Sequence, residues 1–158
     1  MAVIELTRGY TALVDDADYD LLNACRWHVT ITDGMPYAVR SVVGEQTYSR
    51  IWLHMGRVIL DCGAGEIADH INGDTLDNRR ANLRIATPAQ NAQNSRRKSS
   101  NTSGHKGVSW SAEKQQWRAE IMAFGKRTFL GRYDCLESAA HAYRTAAAQL
   151  HGEFARTD

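Results

Sequence analysis

The chain has 158 residues, 43% hydrophobic and 23% charged, which suits one ordinary domain or two small ones and excludes a disordered chain. No apolar run approaches the ~20 residues needed to cross a bilayer, and none follows a basic flank at the start; no membrane partner, no signal peptide and a cytoplasmic protein are expected. The net charge of +1 hides a division: residues 1–78 hold 5 Lys and Arg against 12 Asp and Glu, and residues 79–158 hold 14 against 6, so the second half suits a polyanion.

Cys25, Cys62 and Cys135 are scattered and form no C-x-x-C pair. An odd, dispersed set argues against a disulfide framework and a zinc ribbon, so no structural zinc is expected and the thiols read as small buried hydrophobes.

In chain order, Val3–Leu6 and Thr11–Val14 flank Arg8-Gly9-Tyr10 and predict a small hairpin. Asp16 is a candidate N-cap for a helix through Leu22 and Cys25, with Asp18 and Asp20 near its positive end. Trp27–Thr32 and Met35–Val43 flank Asp33-Gly34, a strong hairpin signal. Over Tyr48–Leu60 the apolar residues fall at 51, 52, 55, 58 and 59, which is helical spacing. His54 lies within it; a catalytic or phosphate-contacting role and that of a structural or surface histidine are both open. Residues 61–65 read as a turn.

Residues 67–94 carry the densest chemistry. A short apolar run ends in Asp69-His70, followed by a loop of turn formers from Asn72-Gly73-Asp74 to Asp77-Asn78. Asn82–Ala86 alternates like a strand, and Thr87-Pro88-Ala89-Gln90 has the form of a capping box, with Pro at the first helical position and Asn91 on the first turn. An aspartate and a side-chain amide are hard oxygen ligands suited to Mg²⁺. His70 is the natural general base, because an imidazole titrates near neutrality. Residues 69 and 70 of a strand point to opposite faces, so both can serve one site only at a strand end or a distortion. Asn82 is placed to pin the loop by bonding its backbone. A polar loop between two strands is the plain alternative.

This stretch resembles the HNH nuclease motif, the ββα-metal fold, in its phage and intron-homing form: D-H-x-(N/D)-G-(D/N), then N-L-R, then N. The resemblance implies Asp69 as first metal ligand, His70 as general base, Asn82 as the loop-organising asparagine and Asn91 as second metal ligand. It implies a Mg²⁺-dependent DNA endonuclease, with Mn²⁺ able to substitute, acting on double-stranded DNA and leaving 5′-phosphate and 3′-hydroxyl ends. One such site per chain suits nicking by a monomer, in the cytoplasm of a bacterial host if the gene is phage-borne. The rival reading is a non-catalytic DNA-binding protein with a degenerate nuclease motif.

Residues 95–104 are basic and then Ser/Thr/Gly-rich with no apolar face, a linker signature. A solvated tether and a tether touching phosphates through Arg96, Arg97 and Lys98 are both open. Beyond it, Val108–Trp110, Gln116–Met122 and Lys126–Leu130 predict three strands. Residues 137–150 predict a helix presenting Ala139, Ala140, Tyr143, Ala147 and Leu150 on one face. Period-2 alternation turns Trp117, Ala119 and Ile121 to the helix and Arg118, Glu120 and Met122 to the open face.

The run K-G-V, W-R-A-E-I, F-L-G-R-Y, A-A-x-A-Y and L-H-G resembles the plant ethylene-response-factor (APETALA-type) DNA-binding domain. That resemblance implies a DNA-facing set of Lys106, Ser109, Arg118, Arg127 and Phe129. The expected architecture is α+β: an N-terminal β-rich extension (1–44), the ββα-metal nuclease (45–94), the linker (95–104), and a three-stranded antiparallel sheet packed on one helix (105–158). No small-molecule cofactor is expected.

Overall fold

A computed structural model describes residues 1–43, 50–97 and 100–157. The described chain mixes helix and sheet, with four small antiparallel sheets and four α-helices. It divides into two compact units, Met1–Thr87 and Pro88–Asp158. No helix among the described residues is long and apolar enough to cross a membrane.

In the first unit, β1 (Ala2–Glu5) and β2 (Thr11–Val14) form the predicted hairpin around a 3-10 turn. Helix α1 (Asp16–Asn23) follows. Its N-cap is Asp15, one residue earlier than expected, and the Asp15 carboxylate makes no cap bond; it accepts from the Arg80 N–H at 2.8 Å instead. A tertiary partner has displaced the local one. Strands β3 (His28–Thr32) and β4 (Met35–Val43) meet at Asp33-Gly34, whose φ values of 51° and 78° are those of the tight turn the dipeptide signals.

The helix expected over Tyr48–Leu60 is a strand followed by a helix. Tyr48 lies outside the described residues; β5 (Arg50–His54) pairs with Val39–Val43 of β4, and α2 (Met55–Leu60) begins only after an extended His54. Ile51, Trp52 and Leu53 favour the pleated surface that β4 offers. The helical spacing arose from a strand and a one-turn helix abutting at residue 54. Beyond α2, Asp61 takes a left-handed conformation, and Arg57 ties the following turn by donating to the carbonyls of Cys62, Gly63 and Glu66. Strands β6 (Ile67–His70) and β7 (Leu83–Ala86) then pair antiparallel.

One cluster of buried side chains joins these elements. Ile4 and Val14 of the first hairpin, Leu22 of α1, Trp27, Ala38 of β4, Met55 and Ile59 of α2 and Leu83 of β7 pack together. The front of the chain therefore supplies much of the core on which the β6–β7 pair rests.

The second unit opens with α3 (Pro88–Asn94), which starts on the proline. Strands β8 (Val108–Ser111), β9 (Gln116–Ala123) and β10 (Lys126–Tyr133) form an antiparallel sheet with β9 central and a bulge between Phe129 and Gly131. Helix α4 (Leu136–His151) buries Ala139, Ala140, Tyr143, Ala146 and Ala147 in a cluster with Val108, Ala119 and Ile121. Small residues let the helix axis lie close to the sheet. Leu150, expected on that face, is 36% exposed, while His151 is buried and bonds the Met122 carbonyl at 2.9 Å.

Gly107 marks the tightest approach. Its φ is +70°, and an added methyl would collide with the Tyr143 ring and the Glu120 carbonyl. Gly107→Ala should therefore lower the unfolding free energy by more than about 1 kcal/mol, readable as a shift in the urea midpoint.

Candidate active site

His70 closes β6, so Asp69 and His70 stand at the strand end that the motif requires. The pairing sets Asp69 opposite Arg84 and His70 opposite Leu83. Asp69 is 4% exposed, and its Oδ2 accepts from Arg84 Nε at 2.8 Å. A buried carboxylate without such a partner would protonate or destabilise the fold. On the other side of the strand end, His70 Nε2 lies 3.2 Å from Asn78 Oδ1. A proton on Nε2 donated to this oxygen would make Nδ1 the basic nitrogen of the neutral ring. Burial pushes the imidazole below its ordinary value; the Asn78 bond and then Asp69, Asp74 and Asp77 oppose that in part.

The loop between β6 and β7 is held by its own side chains. Asn82 Oδ1 accepts from the Asn72 N–H at 3.0 Å, and Asn82 Nδ2 donates to the Asp77 carbonyl at 2.7 Å. Asn72 Oδ1 accepts from the Asp74 N–H at 2.7 Å, and Asp74 Oδ1 from the Leu76 N–H at 3.1 Å. Asp77, 3% exposed, takes two bonds from the Arg79 guanidinium, which with its hydrogen bonding holds its carboxyl below the usual carboxylate range.

The front of the chain completes this loop. Leu13 of β2 donates to the Leu76 carbonyl at 2.9 Å and accepts from the Asn78 N–H at 2.8 Å. Asp18 of α1 receives Nε and Nη2 of Arg80 at 2.9 and 2.8 Å. Thr75 bonds the Pro36 carbonyl. Helix α2 presses on the same place through Gly56, where a Cβ would meet Ala68, Asn78 Oδ1 and Leu83 at 3.1 to 3.3 Å.

Asp69, His70 and Asn82 are thus gathered in the first unit, and Asn91 lies half-buried on the first turn of α3, in the second. Asn78 and Arg84 had no role in the sequence reading. Asn78 looked like one more turn former; Arg84 would have shown itself only once the β6–β7 register set it across from Asp69. Asp69 carries a carboxylate and Asn91 an amide, each a hard oxygen donor. Among the described residues no group of three or more His, Cys, Asp or Glu side chains could hold a metal.

Of the basic and polar residues expected to face DNA, Arg96 and Arg97 are exposed beyond α3, and Lys98 lies outside the described residues. Lys106 Nζ donates to the carbonyls of Gln93 and Ser95, both at 2.6 Å, closing the C-terminal end of α3. Ser109 pairs with Arg118, Phe129 with Glu120 and Arg127 with Met122, all on the sheet face away from α4. Arg118 is ion-paired with Glu120, and the guanidinium carbons of Arg118 and Arg132 stand 5.7 and 5.3 Å from the Phe129 ring centre.

Asn82→Ala would strip the Asn72 N–H and the Asp77 carbonyl of their partners at once. It should cost about 1–3 kcal/mol and raise amide hydrogen exchange selectively over residues 71–79.

Comparison with known proteins bears on this geometry. Residues 53–93 match the family model described as HNH endonuclease. Protein 3.8 of Escherichia phage T7 is 46% identical over 92 residues, 58% of this chain and 75% of that protein. An uncharacterized HNH endonuclease of Acanthamoeba polyphaga mimivirus is 37% identical over 87 residues, 55% of this chain and 44% of that protein. No solved structure matches the chain. The Asp-His pair and the asparagine-tied loop fall within the matched residues, so the chain carries an HNH endonuclease domain over residues 53–93.

Proposed function

We propose that the chain is a DNA endonuclease of the homing type that uses a divalent cation, Mg²⁺ with Mn²⁺ as substitute, to hydrolyse a phosphodiester to 5′-phosphate and 3′-hydroxyl ends. The observation that carries this reading is the strand end at residue 70. A histidine there lies against Asn78 Oδ1, beside a buried aspartate.

His70 takes a proton from the attacking water at Nδ1 as the oxygen closes on phosphorus and the P–O3′ bond breaks. Burial favours the neutral, proton-accepting ring. A cation held by Asp69 and Asn91 would supply charge stabilisation for the phosphorane and the departing oxygen. Arg84 orients the Asp69 carboxylate, and Asn82 keeps the loop, and with it Asn78, at a fixed distance from the imidazole. The chemistry is carried by residues 45–94 on the scaffold of the 1–44 extension, with one active site per monomer.

The second part of the proposal concerns the C-terminal sheet, after the linker at 95–104. Its open face bears Ser109, Arg118, Arg127 and Phe129, and it resembles the APETALA-type module that lies on duplex DNA. Arginines on such a face reach base edges, whereas Arg96, Arg97 and Lys98 in the linker meet phosphates and carry no sequence information. Lys106 supports that surface by holding the end of α3.

His70→Ala should cut the rate of supercoiled-plasmid nicking in Mg²⁺ by about 10²–10⁴ while leaving duplex affinity nearly intact. Near-wild-type turnover of the purified variant would sink the assignment, and no cleavage by the unaltered protein in either metal would favour the non-catalytic DNA binder.

Asp69→Ala and Asn91→Ala should each lower the rate and raise the Mg²⁺ concentration needed for half-maximal nicking. If both variants keep the metal dependence of the unaltered protein, neither residue is a ligand.

A further inference from the structure

The sheet β3–β4–β5 has one face on the core and another that carries a cavity of about 580 Å³. Its floor follows from register. His28, Val39 and His54 form one cross-strand row, flanked by Thr30 opposite Tyr37 and by Trp52 opposite Ser41. The 3-10 turn of the first hairpin closes one side, because Thr7 Oγ1 accepts from the Val29 N–H at 3.0 Å on the free edge of β3. That bond holds Arg8 at the rim in a left-handed backbone conformation, φ 61°, which a non-glycine residue keeps only where its surroundings demand it. On the other side Trp52 is 55% exposed, although it sits in mid-strand.

Among the described residues the lining holds Arg8, His28, His54 and the hydroxyls of Thr7, Thr30 and Thr32, and no carboxylate. That is unexpected in the acidic half of the chain. His54 packs edge-on against Tyr37, ring centres 5.4 Å apart, and burial followed by the Arg57 charge holds it below the ordinary imidazole range; near neutral pH it offers hydrogen bonds rather than charge. An arginine and hydroxyl donors beside an exposed aromatic face are what a nucleotide unit requires: the phosphate takes the cation and the donors, and the base takes the ring.

We infer that this cavity is a nucleotide subsite for the DNA strand, away from the phosphate that is cut, with Arg8 and His28 on a backbone phosphate and a base stacked on Trp52. The inference rests on the nuclease reading and extends it. Sequence-independent grip on the strand then comes partly from the front of the chain, and the first unit holds its substrate at two places.

The test measures binding of a labelled 30-base-pair duplex by fluorescence anisotropy across a salt series, in the full chain carrying His70→Ala so that nothing is cut. Trp52→Ala should weaken binding about 5-fold or more, and Trp52→Phe should restore most of it, since stacking needs the ring and not the indole N–H. Arg8→Ala should weaken binding and lower the salt slope by about 1. Leu21→Ala, at an exposed position of α1 outside the cavity, should leave affinity unchanged. Each variant is checked for an unaltered thermal midpoint. Unchanged affinity and slope in both Trp52→Ala and Arg8→Ala would overturn the subsite, as would a Trp52→Phe loss equal to that of alanine. Plasmid nicking by the chain with His70 intact separates the two ideas: cleavage with no effect of Arg8 or Trp52 removes only the subsite, whereas absence of cleavage removes the nuclease reading.

Discussion

A carboxylate taken out of water costs several kcal/mol unless charge and hydrogen bonds replace the lost hydration, and the β6–β7 region buries more than one. Asp69 and Asp77 are almost wholly enclosed, as are Asn78 and Asn82. The first unit is arranged to satisfy these groups. Arg84 faces Asp69 across the ladder, Arg79 folds back on Asp77, and Asn82 spans the loop with both ends of its amide. The loop has no hydrophobic reason to hold one shape. It holds one because leaving it would unpair Asp77 and both ends of the Asn82 amide. The position of Asn78, and through it the orientation of the His70 ring, depends on that constraint.

How much of this could be read without coordinates depends on how local the cause is. The Asp33-Gly34 turn, the start of α3 at Pro88 and the three strands of the second unit follow from neighbouring residues, and they stand where their signals put them. The alternation that turns Ala119 and Ile121 to the helix and Arg118 to the open face is equally local. The segment from Ile51 to Leu60 misled because a strand and a one-turn helix together imitate one helical period. The pairing partner that decides against a helix, Val39–Val43, lies in the preceding strand, outside the segment whose spacing was read.

The resemblance to the HNH motif pointed to Asp69, His70, Asn82 and Asn91, and the first three fall in one unit. The long-range ties were invisible: Arg80 to Asp18, Leu13 to Leu76 and Asn78, and Thr75 to Pro36 join segments that share no local pattern. Exposed Trp52 and left-handed Arg8 were likewise silent, since neither belongs to a motif and their meeting at one cavity is a product of register.

The stitching of β2 and α1 to the loop bears on how such a motif travels between proteins. The segment that matches the family, residues 53–93, contains Asp69, His70, Asn82 and Asn91 but not Leu13, Asp15, Asp18 or Pro36, which complete its backbone and neutralise Arg80. It is therefore not a portable cassette. Transplanted into another host protein, it would arrive with the Leu76 carbonyl, the Asn78 N–H and a guanidinium all seeking partners. A recipient could use it only by evolving an edge strand and an acidic helix of its own at the same two places.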